Sequence, residues 1–202
     1  MTEHVPSIAS IVLLTMGGPE PLLMQRFRQR VRTLDVYDLP AADLTDVRGL
    51  LIGMHCDQRQ LQRIQTKLTD FVTQGGRVAV CGQIAHPFLP GLSRFIPLTN
   101  YRRDDLIVYA RTPHPVWAGV HLDDLTYRRG VAGFYGRGFH TPPAGTVVVN
   151  GLGLAQLPLD FVYRLGRGEV LVHGGNDLWG YVADSTSAHR LTPQLLDWME
   201  RV

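Results

Sequence analysis

The sequence has little of what marks secreted, zinc-binding or membrane proteins. It contains two cysteines, Cys56 and Cys81, which lie in different segments and lack the paired spacing of a zinc ribbon. They do not form a disulfide framework either, so we expect two free thiols. No apolar run approaches the roughly 20 residues that a membrane-spanning helix needs. Residues 1–4 lack the features of a secretion signal, and the expected location is the cytoplasm.

Neither positive nor negative charge is in large excess. Twenty basic residues nearly balance 18 acidic ones, which leaves a formal net charge of +2. The basic residues are spread along the chain, so neither nucleic acid nor a membrane is expected as a partner. With 45% hydrophobic residues, 202 residues suffice for the core of one domain. We therefore predict a single domain over residues 1–202.

The first half of the chain alternates apolar strands with amphipathic helices. Strands are predicted at residues 8–14, 34–39, 49–54 and 77–81. One helix is predicted from Pro19 to Val31, and a second is capped by Asp57 and ends at Gly75. This βαββαβ order predicts a layered α/β sheet with parallel strands.

The second half is less regular, because prolines interrupt it after Cys81. Strands are predicted at residues 106–110, 146–149, 161–163 and 170–172, as additional β-hairpin elements. Thr192 is predicted to cap a last helix that has Pro193 in its first turn and Val202 on its apolar face.

Three segments resemble the class I glutamine amidotransferase-like superfamily, above all its trehalose-utilisation (ThuA-like) branch. The helix, Gly-Gly turn and strand at residues 71–82 are similar to those that lead to the nucleophile of that family. Residues 114–120 resemble its His-Pro-x-x-x-Gly-Leu segment, and residues 166–177 resemble its Gly-x-Gly-Arg-Val strand and Gly-His-Asp turn. The resemblance implies an α/β fold, a flavodoxin-like three-layer sandwich with a mostly parallel central sheet.

The sequence departs from the glutaminase pattern at the reactive positions. Glutaminases of this class place their cysteine in Gly-x-Cys-x-Gly. Around Cys81, the two glycine positions of this motif are occupied by Ala79 and Gln83. Their late strand carries His-x-Glu, but two glycines follow His173. Prolines after Cys81 also disfavour a long helix there, whose amides would stabilise a thiolate and an oxyanion. We therefore expect an incomplete triad and no glutaminase activity.

Polar and glycine residues follow three of the predicted strands. They are Gly17, Gly18, His55, Asp57, Cys81 and Gln83. Ligands of open parallel sheets bind outside the carboxyl ends of the strands, where these residues would lie if the first, third and fourth strands were neighbours. We expect them to form one cleft for a small polar or anionic ligand.

Each chemical role in this cleft has a structural alternative. His55 with Asp57 is a candidate base with a nearby carboxylate, or a pair of metal ligands, although Asp57 could serve as a helix cap alone. Cys81 is a candidate nucleophile or an inert buried thiol. The sequence assigns no cofactor and no metal site.

The glycine-rich turn at residues 173–177 adds further candidates. Its two glycines would let the backbone approach a ligand closely. His173 and Asp177 are candidate catalytic residues, and Asn176 is a candidate ligand-binding residue. Alternatively, Asn176 and Asp177 only hydrogen-bond their own backbone, as such residues do in turns.

Residues 127–138 combine three arginines, two tyrosines and four glycines. Arg128, Arg129 and Arg137 are candidate ligand-binding residues, since arginine forks and flexible amides suit phosphate or carboxylate groups. The alternatives are a glycine-kinked hairpin with a solvated face, or a surface for self-association.

Two hypotheses follow from the sequence. The first is an amidotransferase-like domain that binds a small polar or anionic molecule, related to a sugar or a nucleotide, and that leaves open a hydrolase or lyase reaction. The second is a non-catalytic interaction module, with a homodimer as the simplest assembly.

Overall fold

The computed structural model describes residues 9–19 and 21–201. Within these ranges the strands are β1 (Ile11–Thr15), β2 (Val31–Asp35), β3 (Gly49–Ile52), β4 (Arg77–Cys81), β5 (Phe95–Pro97), β6 (Val108–Ala110), β7 (Gly138–His140), β8 (Val147–Leu152), β9 (Leu157–Leu165) and β10 (Gly168–His173). The α-helices are α1 (Leu22–Phe27), α2 (Gln58–Arg63), α3 (Gln65–Thr73), α4 (Leu122–Thr126) and α5 (Leu191–Glu200). None of the helices described is long and apolar enough to cross a membrane.

Eight of these strands form one sheet in the order β2-β1-β3-β4-β10-β9-β8-β6. The first five are mutually parallel and follow the flavodoxin-like order, whereas β9, β8 and β6 are added antiparallel. Strands β5 and β7 pair separately as a two-stranded antiparallel sheet. The predicted flavodoxin-like α/β fold, with a mostly parallel sheet and hairpin elements in the second half, is confirmed.

The side chains of the central strands alternate between two hydrophobic cores, one on each face of the sheet. Leu13 packs on one face with residues of α1 and α5, such as Leu195. Val12 points to the opposite face, where Leu68 of α3 lies in the second core. Since both faces are covered, the central strands are apolar at nearly every position, which is why they could be read directly from the sequence.

Several element boundaries follow the sequence because they depend on local chemistry. Strand β4 has the predicted bounds, and the Asp57 carboxylate caps α2 by accepting from the backbone N–H groups of Arg59 and Gln60 at 2.9 and 3.1 Å. Gly75, with φ of 115°, follows the end of α3. A break at Ile64 divides the predicted helix into α2 and α3.

The prediction for the second strand is wrong. The predicted first helix stops at Phe27, and β2 begins at Val31, which pairs with Ile11. The register of this parallel pair ends at Thr15 and Asp35, Val36 donates a last hydrogen bond to the Thr15 carbonyl, and residues 36–40 form turns. Ile8, the predicted start of β1, lies outside the described residues.

The predicted cap of the last helix is also wrong. A short 3-10 turn at Ser187–Arg190 runs directly into α5, so Arg190 takes the capping position. Thr192 is already helical and buried, and its hydroxyl faces the carbonyl of Trp179 at 3.5 Å. Pro193 does lie in the first turn, and Val202 lies outside the described residues.

Candidate functional site

The carboxyl ends of four neighbouring parallel strands share one edge of the sheet. Strand β3 pairs with β1 and β4, and β4 pairs with β10. This confirms that the first, third and fourth strands run side by side. The segments that follow them therefore lie at the same edge, and the turn after β10 joins them there.

A row of polar side chains crosses the sheet just inside this edge. In the strand register, Cys81 of β4 lies opposite His173 of β10, His173 opposite Asp160 of β9, and Asp160 opposite Asn150 of β8. Directly opposed residues on neighbouring strands project to the same face of the sheet. The four side chains therefore form a continuous row, and all four are buried.

Asp160 is the centre of a hydrogen-bond network. One carboxylate oxygen lies 2.5 Å from Nδ1 of His173, and neither side chain has any exposed surface. The other oxygen accepts from the Tyr135 hydroxyl at 2.8 Å and from Nδ2 of Asn150 at 2.7 Å. Nε1 of Trp117 donates to the Tyr135 hydroxyl at 2.7 Å, so an indole completes the chain of donors. Three hydrogen-bond donors thus offset the free-energy cost of burying one carboxylate.

A bulge in β8 directs Asn150 at this carboxylate. The pairing of β8 with β9 shifts register between Val148 and Asn150, which places Asn150 opposite Asp160. Because side chains alternate between the two faces of a strand, one extra residue reverses the face that the next residue uses. Without the shift, Val149 would oppose Asp160 and the carboxylate would lose one donor.

The second ring nitrogen of His173 has no hydrogen-bond partner within residues 9–19 and 21–201. Nε2 is buried and, among the described residues, makes no hydrogen bond. Gly175 packs directly over it, since a Cβ at that position would lie 2.7 Å from Nε2 and 1.7 Å from the carbonyl oxygen of Tyr135. An imidazole held by a carboxylate at Nδ1, with Nε2 unpaired, would have the arrangement of a general base if the turn over Nε2 moved aside.

Cys81 neighbours this imidazole but is not an activated thiol in the observed conformation. Burial raises the pKa of the Cys81 thiol well above its usual value, and the charges of Asp177 and Asp160 raise it further. The backbone N–H of Leu178 donates to the sulfur and opposes this effect. The thiol is therefore neutral near pH 7, and its role as a nucleophile stays a prediction.

Asp177 joins two of the edge segments. Its carboxylate accepts from the backbone N–H of Met54 at 2.8 Å, which links the turn after β10 to the segment after β3. A Cβ on Gly53 would lie 2.9 Å from this carboxylate, so the close approach depends on glycine. Burial raises the pKa of Asp177, whereas the Met54 hydrogen bond and the charges of His55 and His173 lower it.

The other predicted residues of the edge are more exposed. His55, Gly17, Gly18 and Gln83 face solvent. Asp57 has the structural role of a helix cap and also accepts from the Tyr37 hydroxyl at 3.0 Å. The hydrogen bonds of its carboxylate hold the pKa of Asp57 below its usual value.

The three predicted arginines have different neighbours. Arg128 makes two hydrogen bonds of 2.8 Å to Asp184 and stacks on the Tyr181 ring at 3.9 Å. Arg129 is exposed in a short 3-10 turn with φ of 54°, and exposed Arg137 donates to a backbone carbonyl within its own segment. Residues 128–137 therefore form a turn and irregular chain, and the alternative of a glycine-kinked hairpin within them is wrong.

Asn176 connects this segment to the turn over His173. Its Nδ2 donates to the carbonyl of Phe134 at 3.1 Å. The neighbouring Tyr135 contacts the imidazole itself, with ring centroids 4.5 Å apart. Residues 127–138 thus form part of the cover of the polar row.

The sequence reasoning missed His140. Its two ring nitrogens lie 3.0 Å from the carbonyl oxygens of Ser93 and Gly82, so it fixes the residue that follows Cys81. Burial lowers the pKa of His140, and the hydrogen bonds to the two carbonyls oppose that effect. No local pattern marks this role, because Gly82 and His140 are far apart in sequence.

Asp160, Asn150 and Tyr135 were also missed. Asp160 had a signal, since it is the one charged residue within the apolar residues 157–163. A charged residue is rarely buried unless it is paired, so such a position in a predicted strand indicates a polar network. Among residues 9–19 and 21–201, no group of three His, Cys, Asp or Glu side chains is placed to hold a metal ion.

No known protein family matches the chain, and no curated protein matches it. Among solved structures, it is similar to a cytoplasmic protein of Salmonella typhimurium, with a TM-score of 0.64 and 11% identity over 94% of this chain and 98% of that one. A second cytoplasmic protein, of Salmonella typhimurium LT2, is similar with a TM-score of 0.55 and 9% identity, over 95% of this chain and 99% of that one. A β-galactosidase from Rahnella sp. R3 is similar with a TM-score of 0.55 and 12% identity, over 96% of this chain and 31% of that one.

These similarities show the fold alone, because the identities are low. The chain spans about a third of the length of the β-galactosidase.

The thiols provide a test of the state of Cys81. In a Cys56→Ser variant at pH 8, we expect Ellman's reagent to leave Cys81 unmodified while the chain is folded, since burial keeps the thiol protonated and shielded. One equivalent should react in denaturant. In the native wild type, Cys56 should also react slowly, because burial raises its pKa to about 12. Rapid modification of Cys81 in the folded variant would contradict this description.

The network around Asp160 should be a main contributor to stability. Asp160→Ala leaves the donors of His173, Tyr135 and Asn150 buried without an acceptor, and the free energy of unfolding should fall by about 3–5 kcal/mol. The matched control Asp104→Ala removes an exposed carboxylate and should stay within about 0.5 kcal/mol of wild type. Urea denaturation measures both, and equal stabilities would refute the role of the network.

Proposed function

We propose that this chain is an amidotransferase-like domain that binds a small polar or anionic ligand at the carboxyl edge of its parallel strands and has no glutaminase activity. The observation that carries the proposal is the unpartnered Nε2 of His173, held by Asp160 and placed beside Cys81. A buried polar atom without a partner costs about 1–3 kcal/mol. A ligand that accepts from or donates to Nε2 would remove that cost.

The turn over His173 supports the same proposal. Gly174 and Gly175 carry no side chains, and the contacts of the turn include hydrogen bonds from Asn176 to Phe134, from Met54 to Asp177 and from the Gly174 N–H to the Leu159 carbonyl. In the proposed binding step, the turn moves away from the imidazole and exposes Nε2 and the thiol of Cys81 together. Exposed His55 and Gln83 then lie at the entrance.

The chemistry that fits this arrangement is hydrolysis or elimination with His173 as the base. Asp160 would stabilise the imidazolium that forms when His173 takes a proton. Glutamine hydrolysis is disfavoured, because residues 82–94, all of them described, contain no helix whose amides could stabilise an oxyanion next to Cys81. We place the protein in the cytoplasm, as the names of its two Salmonella neighbours state for those proteins.

A thermal-shift screen with sugars, nucleotides and amino acids tests this proposal. A ligand present at a hundred times its Kd should raise the melting temperature of the wild type by about 5–10 °C. The shift should be lost in His173→Gln and reduced in Cys81→Ala, His55→Ala and Asp177→Asn, whereas the exposed control His121→Gln should keep it. The wild type should release no ammonia from glutamine.

If every ligand that stabilises the wild type stabilised the four site variants equally, the carboxyl edge would not be the binding site. Ammonia release from glutamine that depends on Cys81 would refute the second half of the proposal.

The alternative function, self-association, is favoured by the exposed apolar residues of the segment 127–138. Val131 is 51% exposed and Phe134 is 41% exposed, next to exposed Arg129 and Arg137. Aromatic residues and arginine are enriched at the cores of protein interfaces. Such a surface fits a second copy of the chain.

Native mass spectrometry tests this alternative. A homodimer formed through this surface should dissociate to monomers in a Phe134→Ser, Arg129→Ala double variant, because the change removes an apolar anchor and a charge. The matched control Arg94→Ala changes an exposed arginine outside the segment and should leave the mass unchanged. A monomeric wild type, or a dimer that persists in the double variant, would refute self-association through these residues.

A further inference from the structure

A cavity of about 880 Å³ lies at the opposite, amino-terminal edge of the parallel strands. Its walls come from the ends of α3 and α5, the starts of β4 and β10, and the loop at residues 42–48. This volume is within the range of about 300–1,000 Å³ that is usual for sites of small molecules. The carboxyl edge with the polar row lies at the other end of the same strands.

Positive charge is concentrated in this cavity. Six cationic side chains line it: Arg48, Lys67, Arg77, Arg164, Arg167 and Arg201. Three acidic side chains line it as well: Asp43, Asp70 and Glu169. The surplus of three positive charges exceeds the formal charge of +2 of the whole chain, so the remainder of the protein is close to neutral.

Two of these cations are oriented by backbone carbonyls alone. Lys67 donates to the carbonyls of Pro40 and Ala42, and Arg167 donates to the carbonyl of Gln74 at 3.0 Å. A backbone carbonyl fixes the direction of a cation without cancelling its charge. The charge of these side chains therefore remains available to an anion.

Carboxylates compensate little of this charge. Of the six cations, Arg77 alone makes an ion pair with a carboxylate in the described part of the chain, through Glu169 at 3.0 Å. Asp43 accepts from the backbone N–H and hydroxyl of Thr45, although the charge of Lys67 also contributes to lowering the pKa of Asp43. An anion with more than one negative charge would balance the surplus, whereas a single carboxylate would not.

One wall of the cavity is apolar. Leu44, Val47, Phe71 and Met199 line it together with the cations. Val47, Phe71 and Met199 are buried and Leu44 is half-buried, so the apolar part of a ligand would contact Leu44 first, whereas inorganic phosphate would contact the cations alone. The cavity thus combines the two features that an organic phosphate requires.

We propose that this cavity binds an organic phosphate, with its phosphate oxygens on Arg164 and Arg167 and its organic part against the apolar wall. Both arginines are exposed and lie close together in sequence at the junction of β9 and β10. The guanidinium fork matches two oxygens of a phosphate or a carboxylate, and the surplus of three positive charges favours the more highly charged phosphate. This site is separate from the carboxyl edge and does not rest on the function proposed for it.

The test is isothermal titration calorimetry of the full chain with ATP and with pyrophosphate at low ionic strength. Both should bind, and ATP should bind more tightly because its nucleoside reaches the apolar wall. The Arg164→Ala, Arg167→Ala double variant should weaken both by about tenfold or more, since each arginine makes charge-assisted hydrogen bonds. The control Arg94→Ala should bind as the wild type does, and thermal melting should show that all variants are folded.

Three outcomes would overturn the proposal. The first is the absence of binding by either probe, or binding that the double variant leaves unchanged. The second is ATP that binds no more tightly than pyrophosphate, which would remove the role of the apolar wall. The third is an oligonucleotide that binds through the same two arginines more tightly than ATP, which would assign the site to nucleic acid.

Discussion

The register of four adjacent strands is the constraint on which the candidate site depends. It aligns Cys81, His173, Asp160 and Asn150 across β4, β10, β9 and β8, so that residues from distant parts of the chain meet on one face. A shift of one residue in any of these pairings would turn a polar side chain to the other face of the sheet. The polar row therefore exists only because each of the three pairings is in its observed register.

The row is tolerated in an apolar core because its members satisfy one another. A carboxylate without partners would be strongly destabilising at such depth, but Asp160 accepts from three side chains, and Tyr135 in turn accepts from Trp117. The exception is Nε2 of His173, which is covered by a glycine turn rather than by a hydrogen-bond partner. Among the described members of the row, Nε2 is the atom without a partner, and this makes the row a candidate site.

The two ends of the parallel strands differ in chemistry. At the carboxyl end, His173 and Asp160 are buried and hydrogen-bonded to each other, and Asp177 accepts from the backbone N–H of Met54. At the amino end, six cations, four of them exposed, line an open cavity together with Leu44 and buried apolar side chains. One sheet thus has a closed polar site at one end and an open, cationic cavity at the other, and the length of the strands separates the two.

The sequence by itself determined the parts that depend on local chemistry: the α/β alternation, the bounds of β4, the cap at Asp57 and the end of α3 near Gly75. It also identified His173 and Cys81 as candidates from their positions at strand ends. Only the tertiary structure decided that Asp160 is the partner of His173, that a bulge directs Asn150 at it, and where β2 ends. The physical reason is that hydrophobic periodicity and capping act within a few residues, whereas strand order and register select the partner of each buried polar group.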